Sequence, residues 1–120
     1  MNADRTPRCG MSLETLRHQI PLLPQVLKSD LSTGDILLVR TRNSLYRICA
    51  VGSGEYLVAG GWFDRKGMSP LRTTIAGCTW GGSVIKIDIA AACGLCIEFG
   101  NRVTTTTVQT IVTIPRTMRN

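Results

Sequence analysis

Between Asp35 and Ile114 apolar residues recur at every second position in short runs, and glycine, asparagine, serine or proline closes each run. A two-residue rhythm puts alternate side chains on opposite faces of an extended chain, so this stretch reads as strands rather than helices. The plainest case is Ser83–Ile89, where Ile85, Ile87 and Ile89 alternate with Lys86 and Asp88 and are expected to share one inward face. Cys93–Phe99 repeats the pattern, with Cys93, Leu95, Ile97 and Phe99 opposed to Gly94, Cys96 and Glu98. Further runs span Asp35–Arg42, Leu45–Val51, Glu55–Ala59 and Leu71–Ala76, and a last one runs from Arg102 through four consecutive threonines to Ile114. That last run is long for one strand and predicts a bend or bulge. Pro115 ends it.

About six to seven strands with short turns predict an all-β fold, a small antiparallel barrel with a sandwich as the competing architecture. The turns are Asn43-Ser44, Gly52-Ser53-Gly54, the Gly60–Pro70 loop, the Gly77–Gly82 connection and Gly100-Asn101. Ile36–Val39 and Leu45–Val51 are apolar on both faces, which predicts a second covering layer: the N-terminal arm or another subunit.

The arm has a different period. Leu13, Leu16 and Ile20 fall at helical spacing behind Ser12, a good N-cap, and Pro21 ends the run. Pro24 can open a further helical turn through Lys28. The expected organisation is a disordered tail at 1–10, a short N-terminal helical arm at 11–30, one β domain at 31–115 and a tail at 116–120.

A chain of 120 residues has room for one domain and can bury enough surface to fold without staples. Charged residues are 18% and mean hydropathy is +0.11, which excludes a highly charged disordered chain. No apolar run reaches the ~18 residues of a membrane span. The beginning of the sequence lacks the apolar core of a secretion signal, and five cysteines are an odd number, so free thiols in a reducing cytoplasm are the expectation.

Fourteen Lys and Arg against eight Asp and Glu give a net charge of +6, and eleven of the fourteen are arginine. Arginine grips phosphate bidentately, so a polyanionic partner, nucleic acid first, enters the reading. Arg40, Arg42 and Arg47 flank the Asn43 turn and form a candidate basic patch; solvated charges guarding a hairpin tip are the competing reading. Trp62, Phe63 and Trp80 occupy glycine-bearing loops, where they either stack on a ligand or plug a barrel end. Lys86 and the loop tryptophans Trp62 and Trp80 join these arginines as candidate polyanion- or ligand-binding residues.

Catalytic and metal signals are thin. Cys93 and Cys96 form a CxxC, yet zinc needs two more ligands, and in a strand residues three apart face opposite ways. They are weak metal candidates, and small packing residues is the competing reading. Cys78 sits in a glycine-rich segment and is the most accessible nucleophile candidate, but the sole histidine, His18, lies in the arm. The loop 77–83 has glycines without the lysine spacing of a phosphate-binding loop. No cofactor is implied.

The segments Thr41-Arg42-Asn43-Ser44-Leu45-Tyr46-Arg47-Ile48, Gly60-Gly61-Trp62-Phe63 and Ile75-Ala76-Gly77-Cys78-Thr79-Trp80-Gly81-Gly82-Ser83, with Ile85-Lys86, Glu98 and the closing threonines, resemble a set of small uncharacterised bacterial all-β proteins. The likeness covers about residues 35–114. It implies a bacterial cytoplasmic protein and brings no activity. The leading expectation is a non-catalytic binding or assembly module, homo-oligomeric. The alternatives are a nucleic-acid-binding barrel and a cysteine-dependent enzyme or metal protein.

Overall fold

A computed structural model describes residues 25–80 and 84–118. The tail at 1–10 and the helix expected at 12–20 lie outside the described residues. Where the arm is described, it is not helical: Gln25–Leu27 is a strand and Lys28–Asp30 a single 3-10 turn.

In chain order the strands are β1 (Gln25–Leu27), β2 (Ile36–Thr41), β3 (Leu45–Gly52), β4 (Glu55–Gly60), β5 (Leu71–Thr79), β6 (Ile85–Lys86), β7 (Ile89–Ala92), β8 (Cys96–Phe99) and β9 (Val108–Ile114). One helical turn, α1 (Gly61–Arg65), stands between β4 and β5. Seven strands form one antiparallel sheet in the order β6-β5-β4-β3-β2-β9, with β8 also paired to β5. The sheet curls into a half-barrel. A second sheet, β1 with β7, packs on it. The all-β expectation holds, with more and shorter strands than the sequence suggested.

The alternation in the central strands decides which way they face. Leu37 and Val39 of β2, Tyr46, Ile48 and Ala50 of β3, and Tyr56 and Val58 of β4 all point inward and are buried. Cross-strand register carries these rows through the sheet, for example Val39 opposite Tyr46 and Ile48 opposite Val58. A one-residue slip would turn every one of them to water, so burial pins the register.

Phe63 of α1 drops into the open side of the curl and is fully buried, which alone is worth about 2–3 kcal/mol. Its ring meets Phe99 edge-on at 5.2 Å, Tyr46 at 6.3 Å and Trp62 at 5.3 Å. The plug reading of the Gly60–Phe63 loop is therefore correct for Phe63. Gly61 allows it: at φ +47°, a Cβ there would collide with the Tyr46 ring.

The second half of the chain departs from the sequence reading in three places. Ser83–Ile89 is not one strand. The chain turns at Ile87-Asp88, where the Asp88 carbonyl accepts the Lys28 N–H at 2.9 Å. Ile89 is buried, but Ile85 is 41% and Ile87 65% exposed, so the three isoleucines do not share an inward face. A tight turn resets the parity that the rhythm alone would carry through.

Second, Gly77, Cys78 and Thr79 are not a loop. They extend β5 past a bulge between Ile75 and Gly77 and pair with both β6 and β8. Third, Cys93-Gly94 is a turn with Gly94 at φ +89°, and β8 starts only at Cys96; within β8 Ile97 and Phe99 do point inward as expected. Beyond Pro115, Arg116–Met118 is a 3-10 turn whose Arg116 N–H donates to Asp35 Oδ1 at 2.8 Å.

The predicted bend near the threonine run is real. Residues 102–107 are no continuous strand: Thr104 makes an isolated bridge to Glu98, the Phe99 N–H donates to the Val103 carbonyl at 2.8 Å and the Thr105 N–H to the Ile97 carbonyl at 2.9 Å, and threonine hydroxyls add to these bonds. Thr105 Oγ1 accepts the Ile97 N–H at 3.0 Å, and Thr106 Oγ1 donates to Thr41 Oγ1 at 2.9 Å. Thr106 Oγ1 also accepts the Asn43 N–H at 3.3 Å. These short polar side chains tie the β2–β3 turn to β8.

Candidate functional site

The six residues singled out for binding fall into two groups. Trp80 and Lys86 come together around β6, while Arg40, Arg42 and Arg47 lie on β2, β3 and the turn between them, with α1 and Trp62 beside them. β4 and β5 separate the two groups within the sheet.

Around β6 the chain displays apolar side chains to water. Trp80 is 69%, Val84 56%, Ile85 41% and Ile87 65% exposed. They account for four of the six large hydrophobic residues that are exposed among those described. Trp80 is thus no plug. Among the described residues β6 is an edge strand, paired only with β5 through Cys78 opposite Lys86 and Thr79 opposite Ile85. Beneath the ridge is a cavity of 270 Å³ lined by Gln25, Trp80, Lys86, Ile89, Ala92 and the Cys93–Leu95 turn. The sequence reading missed Val84, Ile85 and Ile87 because alternation marks a face without saying whether protein or water covers it.

The other group is basic. Arg40 pairs with Leu45 and Arg47 with Leu38, so Arg40 and Arg47 are diagonal neighbours on the outer face of the β2–β3 hairpin. Arg42 sits in the turn, its N–H donating to the Thr107 carbonyl at 3.0 Å. Arg65 of α1 reaches across to Ser44, Nη1 to Oγ at 3.4 Å. All four arginines are exposed, and the one ion pair among the described residues is elsewhere, Arg72 with Glu55 at 3.0 Å. Asp64 shares α1, but its carboxylate is held by Ser69 and by the Gly60 N–H at 3.0 Å, which keep it ionised below the usual range. Trp62 is half-buried, its N–H donating to Tyr46 Oη at 3.4 Å. Arg65 was invisible as a member of this group in the sequence, since only the fold of α1 brings it to Ser44.

The described cysteines differ in burial and bonding state. Cys78 is fully buried on β5, not exposed in a loop, and burial pushes its thiol up to about 12. A group that stays protonated is a poor nucleophile. Cys49, Cys78 and Cys96 are free thiols, whereas Cys93 is disulfide-bonded, so the expectation of free thiols throughout fails at that residue. Cys93 and Cys96 are accordingly not a dithiol pair. Among the described residues no group of three or more His, Cys, Asp or Glu side chains is placed to hold a metal.

The larger cavity, 610 Å³, lies between the Lys28–Asp30 turn and the β3–β4 hairpin and is lined by Lys28, Ser29, Ser32, Ser53 and Tyr56 among others. Burial raises the Tyr56 phenol, leaving it a hydrogen-bond donor, and no histidine stands among the described residues of the lining to serve as its base. No described helix is long and apolar enough to cross a membrane. No protein-family model, curated protein or solved structure matches the chain.

Proposed function

We propose that the chain is a non-catalytic assembly module that binds a second copy of itself through the ridge around β6. The observation that carries this reading is the exposure of Trp80, Val84, Ile85 and Ile87 on one short segment at a sheet edge. Isolated exposed apolar residues are ordinary, but a contiguous patch of roughly a few hundred Å² marks a contact surface. These four side chains supply the apolar centre for an interface of about 800 Å² on each partner, with a polar rim to which Lys86 contributes.

A second copy suits this surface better than an unlike partner. β6 is short and extended, and no described strand pairs with its outer side, so two copies can meet about a two-fold axis with β6 against β6 and each Ile87 and Trp80 covering the other's. A sheet edge with apolar side chains left open is otherwise an aggregation hazard. The buried, protonated Cys78, with no base beside it among the described residues, favours a binding role over catalysis.

Light scattering on the full chain after size exclusion tests the proposal. The wild type is expected to run as a dimer and the Val84→Asp/Ile87→Asp variant as a monomer with the same far-UV circular dichroism. Exposed positions tolerate such changes within about 0.5 kcal/mol, so the variant folds. A wild type that stays monomeric at millimolar concentration sinks the reading.

A further inference from the structure

We infer that the turn end of the β2–β3 hairpin, with Arg40 and Arg47 on its outer face and Arg65 of α1 reaching the turn at Ser44, is a docking surface for the phosphate backbone of single-stranded nucleic acid. It is separate from the ridge around β6 and does not depend on self-association.

Charge complementarity carries the inference. Arg40, Arg42, Arg47 and Arg65 are exposed at one end of the hairpin, and among the described residues none has a carboxylate within ion-pair range. Lys66 follows Arg65 and is exposed as well. Four clustered guanidinium groups repel one another and gain most from a ligand that carries regularly spaced negative charge. Cross-strand diagonal neighbours such as Arg40 and Arg47 stand about 7–8 Å apart at the backbone, within reach of successive phosphates for side chains this long.

The support beneath them is firm. Thr41, Ser44 and Thr106 hold the turn that presents Arg42: Thr41 Oγ1 donates to the Ser44 carbonyl at 3.2 Å and accepts the Ser44 N–H at 3.1 Å and the Thr106 hydroxyl at 2.9 Å. Arg65 is steered toward the same turn by Ser44 Oγ. A pre-set array loses less entropy on binding than arginines on a loose tail.

Leu45 points to a single strand rather than a duplex. It lies opposite Arg40 on the same outer face and is 49% exposed. An apolar side chain among arginines suits the flat face of an unpaired base, whereas the bases of a duplex are stacked away from such a contact.

The test is fluorescence anisotropy of a labelled oligothymidylate with the full chain at two salt concentrations. With four phosphate contacts the expected log–log salt slope is about −2.8, so affinity falls about 50-fold between 50 and 200 mM salt. The Arg40→Gln/Arg47→Gln variant should halve that slope, leaving a fall of about 7-fold. Arg65→Gln, which gives up a single long hydrogen bond to Ser44, should reduce it by about a quarter and serves if the double variant fails to fold. Arg72→Gln, whose guanidinium is already paired to Glu55, should leave the slope unchanged. Absence of binding at 50 mM salt overturns the inference, as does a slope that both arginine variants leave intact. Competition by polyglutamate or by duplex DNA as strong as that by unlabelled oligothymidylate overturns the assignment to single strands.

Discussion

Gly77 of β5 lies so close to Lys86 of β6 that a Cβ on it would stand 2.6 Å from the Lys86 carbonyl oxygen and 2.8 Å from Ile85 Cγ2. Its φ of +150° also disfavours a side chain. The bulge at Ile75–Gly77 and the seating of β6 therefore depend on one missing methyl group. Gly77→Ala is expected to cost about 2–3 kcal/mol, since the obstacle is backbone and cannot swing aside. Chemical denaturation measures the loss, and the same variant should weaken self-association because β6 carries Ile85. A stability within about 0.5 kcal/mol of the wild type would show that β6 is not seated against Gly77.

Thr79 makes the opposite prediction. It is 1% exposed, and its hydroxyl has no hydrogen-bond partner among the described residues. A buried hydroxyl without a partner is a net cost, and valine has the same branched shape without it. Thr79→Val should raise stability by about 1 kcal/mol in urea denaturation. A loss of stability would mean that the hydroxyl is bonded after all.

The Asp35 carboxylate joins its own turn to the far end of the β domain. Its Oδ2 accepts the Ser32 N–H at 2.9 Å and its Oδ1 the Arg116 N–H at 2.8 Å, and the residue is 9% exposed. Asp35→Ala leaves two backbone donors short of their partner and should destabilise by about 2–4 kcal/mol. Hydrogen exchange should show the largest loss of protection at Ser32 and Arg116. Equal loss across the whole domain, with those two amides unchanged, counts against Asp35 as the clasp between these stretches.

Cys78 sets an upper pH limit. Its thiol is raised from 9.0 to about 12 by burial, so the folded protein disfavours the thiolate that the unfolded chain forms readily. The stability associated with the protonated thiol is complete below about pH 9 and is lost as pH rises from there toward 12. At pH 8 iodoacetamide should modify the half-buried Cys49 and Cys96 well before Cys78, read by mass spectrometry of peptides. Alkylation of Cys78 at the rate of Cys49 would contradict its burial.

Much of the fold was legible because burial on one face imposes a period. The inward rows of β2, β3 and β4 and the Ile97/Phe99 pair of β8 all follow from alternation, and Pro115 does end the last strand. Gln25–Leu27 was misread because a proline before three polar and apolar residues suits a helix start, and only pairing with β7 makes the segment a strand. The basic patch was half legible. Arg40, Arg42 and Arg47 are neighbours through a local hairpin, whereas Arg65 joins them through α1 folding back over about twenty residues of chain.

What the residues determined by themselves is local: which positions alternate, where glycine and proline interrupt them, and that the chain is strongly arginine-rich. Tertiary structure alone decided which side of each alternation met water. Ile97 and Ile87 are the same residue type in similar patterns, yet one is fully buried and the other 65% exposed, because a turn at Ile87-Asp88 lifts β6 off the core while β8 closes over it. A periodic sequence specifies the two faces of a strand, and only the packing of distant strands assigns one of them to the interior.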